Sequence, residues 1–219
     1  MAYLIAPSLL SADLLCLGEE ITALLAAKVD MLHLDIMDFH YVPNISFGLP
    51  ICQAITEYFI APIVDVHLMT KPVDDLIIAF ARAGAKRISI HPDATLHLDY
   101  SLQLIRQQGC HAGVALNPSI AIDCLAWCVH RLDFILIMLV NPGFGGQKLI
   151  PEIIPKISMI KQQYPNIPIA VDGGVNLTNI ADLARAGATE FIAGSAIFAT
   201  GVKNYIKIIN NMRNILANV

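Results

Sequence analysis

Met31-Leu32-His33-Leu34-Asp35-Ile36-Met37 reads as one strand with two unlike faces. Side chains alternate along an extended chain, so Met31, His33, Asp35 and Met37 share one side and Leu32, Leu34 and Ile36 the other. An apolar face backed by a polar one suits the wall of a barrel: the apolar set meets a layer of helices and the polar set points toward the axis. An imidazole and a carboxylate are expensive in such an interior unless they are paired or ligate a metal. The same logic holds around Asp65, His67 and Met69, which alternate with Val64, Val66 and Leu68.

Outward from these two segments, short β-type runs alternate with helical patterns through the whole chain, the sign of repeated βα units and a parallel sheet. Strands are predicted at Leu4–Pro7, Met31–Ile36, Ile63–Leu68, Arg87–Ile90, Ala112–Leu116, Phe134–Val140, Ile167–Val171 and Glu190–Ala193. Helix-like stretches include Leu17–Ala27, Val73–Ala83, Leu98–Gln108, Pro151–Gln163, Leu177–Ala186 and Val202–Leu216. Gly84, Gly109 and Gly187 each follow such a stretch where a left-handed cap is wanted before the next strand. No linker or shift in composition divides the 219 residues. Eight successive units therefore predict one closed (β/α)8 TIM barrel over residues 1–219, with an open doubly wound sheet as the alternative.

Composition sets further bounds. The chain is 56% hydrophobic and 15% charged, as expected where parallel strands are covered on both faces. Its longest apolar runs, such as Phe134–Val140, fall far short of the roughly 20 residues of a membrane-spanning helix. The N-terminus lacks the basic region of a signal peptide, so a cytoplasmic protein is expected. Five cysteines, an odd number and widely spread, argue against a disulfide framework. Cys124, Cys128 and His130 have the spacing of a metal motif, but positions i and i+4 of a predicted helix also place two small apolar residues on one buried face. With a net charge of −4 and no Lys/Arg cluster, the chain lacks the electrostatic footprint of a nucleic-acid binder, so a small-molecule partner is expected.

Function in a closed barrel gathers at the C-terminal ends of the strands. His33 and Asp35 near the end of strand two, His67 on strand three and Asp172 at the end of strand seven bring two imidazoles and two carboxylates to one mouth. That set suits a divalent ion such as zinc, manganese or iron. Strands two and seven lie on nearly opposite sides of an eight-stranded ring, so Asp35 and Asp172 would approach a substrate from opposite faces. That arrangement suits epimerisation: one carboxylate removes a proton from carbon and the other returns one on the far side. Glycine-rich loops follow strands six, seven and eight: Asn141-Pro142-Gly143-Phe144-Gly145-Gly146-Gln147, Asp172-Gly173-Gly174 and Gly194-Ser195. Barrels bind phosphate in this quadrant through backbone N–H groups and a short extra helix, for which Ala196–Ala199 is the candidate.

Several segments together resemble the ribulose-phosphate 3-epimerase family over essentially the whole chain. They are Ala6–Asp13 (APSLLSAD), His33–Asp38 (HLDIMD), Tyr41–Asn44 (YVPN), Asp65–Met69 (DVHLM), Val140–Gln147 (VNPGFGGQ), Val171–Val175 (VDGGV) and Ala193–Phe198 (AGSAIF). The resemblance implies a ribulose-phosphate-binding barrel that interconverts D-ribulose 5-phosphate and D-xylulose 5-phosphate at C3 through a metal-stabilised enediolate, in the pentose phosphate pathway. It implies one divalent ion, of zinc, manganese, iron or cobalt, on His33, Asp35, His67 and Asp172, with Asp35 and Asp172 doubling as the acid/base pair. Ser8 and His67 would touch substrate, and Met37, Met69 and Met138 would form a polarisable ceiling over it. Gly145, Gly146, Gly174, Gly194 and Ser195 would hold the phosphate, with Gly143, Phe144 and Gly173 in the same substrate-binding set. By analogy with relatives, a homo-oligomer is expected.

The chain departs from the family pattern at Phe39, Asp93, Leu139 and Ala170, where the family usually has a small or polar residue, glutamate, serine and an acidic residue. Phe39 could alter the mouth or an intersubunit contact, and parity with Met138 places Leu139 on the helix side. Rival readings are a 3-epimerase of a six-carbon ketose phosphate such as allulose 6-phosphate, a decarboxylase on a related phosphate-binding barrel, and a silent barrel that only binds sugar phosphate. The decarboxylase pattern Asp-x-Lys-x-x-Asp meets His67 and Thr70 in place of its Lys and final Asp. The silent barrel would be marked by loss of a carboxylate, yet both Asp35 and Asp172 are present.

Overall fold

A computed structural model describes residues 3–59 and 63–219 of the chain. Eight parallel strands, β1 (Leu4–Pro7), β2 (Met31–Met37), β3 (Ile63–Met69), β4 (Arg87–Ile90), β5 (His111–Leu116), β6 (Phe134–Met138), β7 (Ile169–Asp172) and β8 (Glu190–Ala193), form one sheet in which each neighbours the next in sequence. β1 also pairs with β8. The seam between β1 and β2 is closed by a parallel bridge from Ser8 to His33 and by Asp30 N–H donating to the Ile5 carbonyl at 3.1 Å. The sheet is therefore the expected barrel.

Helices α1 (Leu17–Ala26), α2 (Leu49–Tyr58), α3 (Asp74–Arg82), α4 (Leu98–Gln107), α5 (Ile154–Gln163), α6 (Ile180–Ala186), α7 (Ser195–Phe198) and α8 (Tyr205–Leu216) lie between and after the strands. Among the described residues no helix is long and apolar enough to cross a membrane. Gly84, Gly109 and Gly187 follow α3, α4 and α6 with φ of 99°, 78° and 119°, the left-handed cap that glycine adopts without steric cost.

Alternation in the strands sorts the core into two parts. Along β6, Phe134, Leu136 and Met138 join Ala6, Met31, Ala115, Ala170 and Ile192 inside the barrel. Ile135, Ile137 and Leu139 join the larger apolar layer beneath the helices, so Leu139 lies on the helix side.

Several expected boundaries shift, each for a local reason. Between β5 and β6 the chain forms two short 3-10 turns, Ile122–Leu125 and Val129–Arg131, so Cys124 and Cys128 do not share an α-helix. Cys128 is buried and donates to the Cys124 carbonyl at 3.4 Å, while His130 is exposed beside Asp99. α5 begins only at Ile154: Pro155 has no N–H to give to the residue four back, so Pro151–Ile153 winds as a 3-10 turn. Before α6, Asn176 and Asn179 engage nearby backbone N–H groups with their side chains at 2.8 and 2.9 Å, which holds Leu177–Asn179 outside the helix. α2 completes the layer where no helical stretch is named from the sequence.

Candidate active site

The longest strand pairing in the barrel positions the chemistry. β2 and β3 run in register over seven residues, with His33 opposite Asp65, Asp35 opposite His67 and Met37 opposite Met69. Asp172 comes from the end of β7. Ligand atoms of His33, Asp35, His67 and Asp172 all lie within 4.8 Å of one another, the one such grouping among the described residues.

Hydrogen bonds orient each member. Ser8, just past β1, donates Oγ–H to Asp35 Oδ2 at 2.6 Å. His33 Nδ1 donates to Asp65 Oδ2 at 2.8 Å, which leaves His33 Nε2 aimed at Asp35 Oδ1, 3.4 Å away, without a hydrogen bond of its own. His67 Nδ1 lies 3.1 Å from the same Asp35 oxygen. Behind Asp65 stands Arg87, whose Nε donates to Asp65 Oδ1 at 3.3 Å while its two Nη groups grip Glu190.

Environment pushes the two carboxylates apart. Burial and then the negative charge of Asp35 raise Asp172 to about 7. Burial acts the same way on Asp35, but His33 and His67 outweigh it and hold Asp35 well below the usual carboxylate range. Burial lowers His33, yet Asp35 and Asp65 overcome it and keep the ring charged well above its ordinary value. Asp65 is held at about 2: Arg87 and His33 overcome the cost of burial. Burial keeps His67 and His91 below the ordinary imidazole value. One acid thus favours its proton and the other its charge.

The same residues fit a divalent cation. His33 Nε2 is buried, points into the group and lacks a partner, while its other nitrogen is held by a carboxylate, the arrangement usual for a metal-bound histidine. Two imidazole nitrogens and two carboxylate oxygens are a donor set for a divalent ion.

A cavity opens over Asp35 and Asp172. Its wall contains Ser8, Met37, Met69, Met138, Gly143, Phe144, Gly145, Gly146, Gly173, Gly174, Gly194 and Ser195. His33 and His67 lie beneath that wall with no exposed surface, so the expectation that His67 touches substrate finds it a layer deeper, held against Asp35. Ser11 and Gln147 also line the cavity. Sequence reasoning passed over Ser11, although it falls in the quoted segment after β1. Among the described residues no Lys or Arg lines this cavity. An added Cβ on Gly194 would fall 2.5 Å from Ser11 Oγ, and one on Gly174, at φ 68°, 2.5 Å from the Leu149 nitrogen. At Gly174 the facing backbone leaves no room for a side chain, and at Gly194 a side chain would displace the Ser11 hydroxyl.

Phe39, Asp93, Leu139 and Ala170, the four residues expected to depart from the family pattern, all fall outside the cavity wall. Phe39 is exposed, at φ 59°. Asp93 accepts from the Tyr41 hydroxyl at 2.8 Å. Ala170 fills the barrel interior.

Residues 4–198 match the profile of the ribulose-phosphate 3 epimerase family. The chain belongs to the ribulose-phosphate 3-epimerase family. It is 47% identical over 221 residues to ribulose-phosphate 3-epimerase of Escherichia coli strain K12, covering 99% of this chain and 97% of that one. With the enzyme of the same name from Buchnera aphidicola subsp. Acyrthosiphon pisum it shares 46% over 215 residues, 96% of this chain and 93% of the other. The members named in these matches are epimerases, in the isomerase class. Among solved structures, KGPDC from Streptococcus mutans superposes with a TM-score of 0.76 at 13% identity, covering 100% and 99% of the two chains. 3-Hexulose-6-phosphate synthase from Salmonella typhimurium gives 0.73 at 16%, covering 98% of each. At such identities these two likenesses speak for the barrel alone.

Proposed function

We propose that this member of the ribulose-phosphate 3-epimerase family interconverts D-ribulose 5-phosphate and D-xylulose 5-phosphate. The observation that carries the reading is the pairing of Asp35 and Asp172, from strands β2 and β7, on the wall of one cavity with opposite preferences for a proton.

The charged Asp35 is the base in one direction. It takes the C3 proton as the C–H electron pair moves toward C2, giving an enediolate. Asp172, protonated, then delivers a proton to the opposite face of C3, and the configuration inverts. Asp35 ends protonated and Asp172 charged, the starting state for the reverse reaction. Ser8 fixes Asp35 through its second oxygen, leaving Oδ1 to the reaction and the histidines. His33, Asp35, His67 and Asp172 would hold the divalent ion, which when bound supplies positive charge opposite the developing negative charge on substrate oxygen. Backbone N–H groups around Gly145, Gly146, Gly174, Gly194 and Ser195 would receive the phosphate, since no cationic side chain among the described residues lines the cavity.

The test is turnover of D-ribulose 5-phosphate in deuterium oxide, followed by NMR at C3, with allulose 6-phosphate as a competing substrate. Xylulose 5-phosphate carrying solvent deuterium at C3 from the first turnover is expected. Product that retains its original hydrogen would rule out exchange between two carboxylates, and faster turnover of the six-carbon ketose would move the substrate assignment.

A further inference from the structure

The two imidazoles in the donor set are braced by unlike partners. His33 gives its Nδ1 proton to a carboxylate, Asp65. His67 is backed by a second imidazole instead. Its Nε2 lies 2.8 Å from Nε2 of His91, the fully buried residue that follows β4. Two ring nitrogens so placed share a single proton, one donating and the other accepting. His67 Nδ1 faces Asp35 and the other ligand atoms. To offer a lone pair there, His67 must carry its proton on Nε2, and His91 Nε2 must accept it.

We propose that His91 is a positioning residue for the metal site: by accepting the Nε2 proton of His67 it selects the tautomer whose Nδ1 can bind a divalent cation. The inference rests on the proposal that His33, Asp35, His67 and Asp172 hold such an ion.

The surroundings of His91 favour this role over packing. Its Nδ1 is buried beside the Ala115 backbone, so His67 is the one side chain that uses the ring's polarity. A phenyl ring would stack as well under Tyr41, whose ring centre is 4.8 Å away at 32°. Tyr41 is itself pinned, donating to Asp93 Oδ1 at 2.8 Å and accepting from Asn117 Nδ2 at 2.7 Å. The plane of His91 is thus set by the loops after β2, β4 and β5.

Zinc affinity of the full chain, measured by competition with a chromogenic chelator, tests the proposal without recourse to turnover. His91→Phe retains the ring and loses the acceptor, and should weaken zinc binding about 10- to 100-fold, the usual consequence of removing the group behind a metal-bound histidine. His91→Gln restores an acceptor oxygen and should bind within a few-fold of the unsubstituted chain. Melting of the metal-free proteins checks that each variant is folded. In the zinc-loaded unsubstituted protein, ring ¹⁵N spectra should show the His67 proton on Nε2.

Undiminished affinity in His91→Phe, or equal weakness in His91→Gln, overturns the proposal. So does a His67 proton on Nδ1, a readout that stands even if His91→Phe fails to fold. His67→Ala separates the two levels: if it binds zinc as tightly as the unsubstituted chain, the metal reading falls and the role of His91 with it.

Discussion

The barrel interior carries buried charge at both ends, and the two ends treat it differently. At the floor, Glu190 and Asp65 are matched by Arg87, which also lies 4.0 Å over the ring of Phe134. Gly113 leaves room for that ring, since a Cβ there would sit 2.3 Å from it. At the mouth, Asp35 and Asp172 have histidines but, among the described residues, no Lys or Arg on the cavity wall. The protein brings a permanent cation to one end; at the other the balance rests on protons, on His33 and Asp172. Charge matched by a fixed cation holds the structure; charge matched only by exchangeable protons marks where a ligand belongs.

The largest expected effect tests the mouth. Asp35→Asn and Asp172→Asn should each lower turnover about a thousandfold, the scale of a positioned acid or base, with circular dichroism unchanged. Near-normal rates in either would remove the distinction between the ends. At the matched end, Arg87→Met should cost stability, about 3 kcal/mol by urea unfolding, because it strands two buried carboxylates. A loss below about 1 kcal/mol, the value of an exposed pair, would mean the floor is solvated after all.

Metal affinity at the mouth should depend on pH. His33 holds its proton well above its ordinary value in the metal-free chain, and a cation must displace it from the ring nitrogen that binds. Zinc should therefore bind more tightly as pH rises from about 6 to 8, by roughly tenfold per unit for the one proton released. Calorimetry in buffers of different ionisation heat would count that proton, and a flat profile would contradict the charge state of His33. The smallest effect concerns Asp172 in protein stripped of metal. A carboxyl raised in the folded state favours folding below its ordinary value and loses that advantage as pH climbs through about 7. Metal-free Asp172→Asn should thus be more stable than the unsubstituted chain at pH 8, by about 1–2 kcal/mol, and gain little at pH 4. Equal melting at both pH values would show that solvent reaches Asp172 freely.

Much of the mouth was legible because alternation is a local property. Once Met31–Met37 is a strand, His33 and Asp35 must share a face, and the glycine runs after Met138, Val171 and Ala193 fall where β strands give way to loops. The floor was not legible. Arg87 and Glu190 are 103 residues apart, and nothing in either neighbourhood announces the other; only the ring order of the strands brings them together. His91 was hidden for the same reason, as its partner lies on the adjacent strand. α2 escaped notice because Pro50 and Thr56 break up the helical pattern of Leu49–Tyr58, though proline is at home in a first turn. The segment around Cys124 reads as helix on spacing and folds as two tight turns, since spacing cannot distinguish three residues per turn from 3.6 over so short a length.

The join between β1 and β2 gives the site a mechanical side. Other neighbouring strands are laced by three to seven paired residues, whereas this join relies on the Ser8–His33 bridge and on Asp30, which accepts from Ile5 N–H at 2.8 Å and is gripped by Arg213 of α8. Ser8 and His33 are the same residues that steady Asp35 and face the cation position, so the machinery straddles the loosest stitch in the wall. Whatever occupies the mouth would also act as a clasp across it. Amide protons of Ile5 and His33 should then slow their exchange with solvent on ligand binding far more than those in the middle of β6.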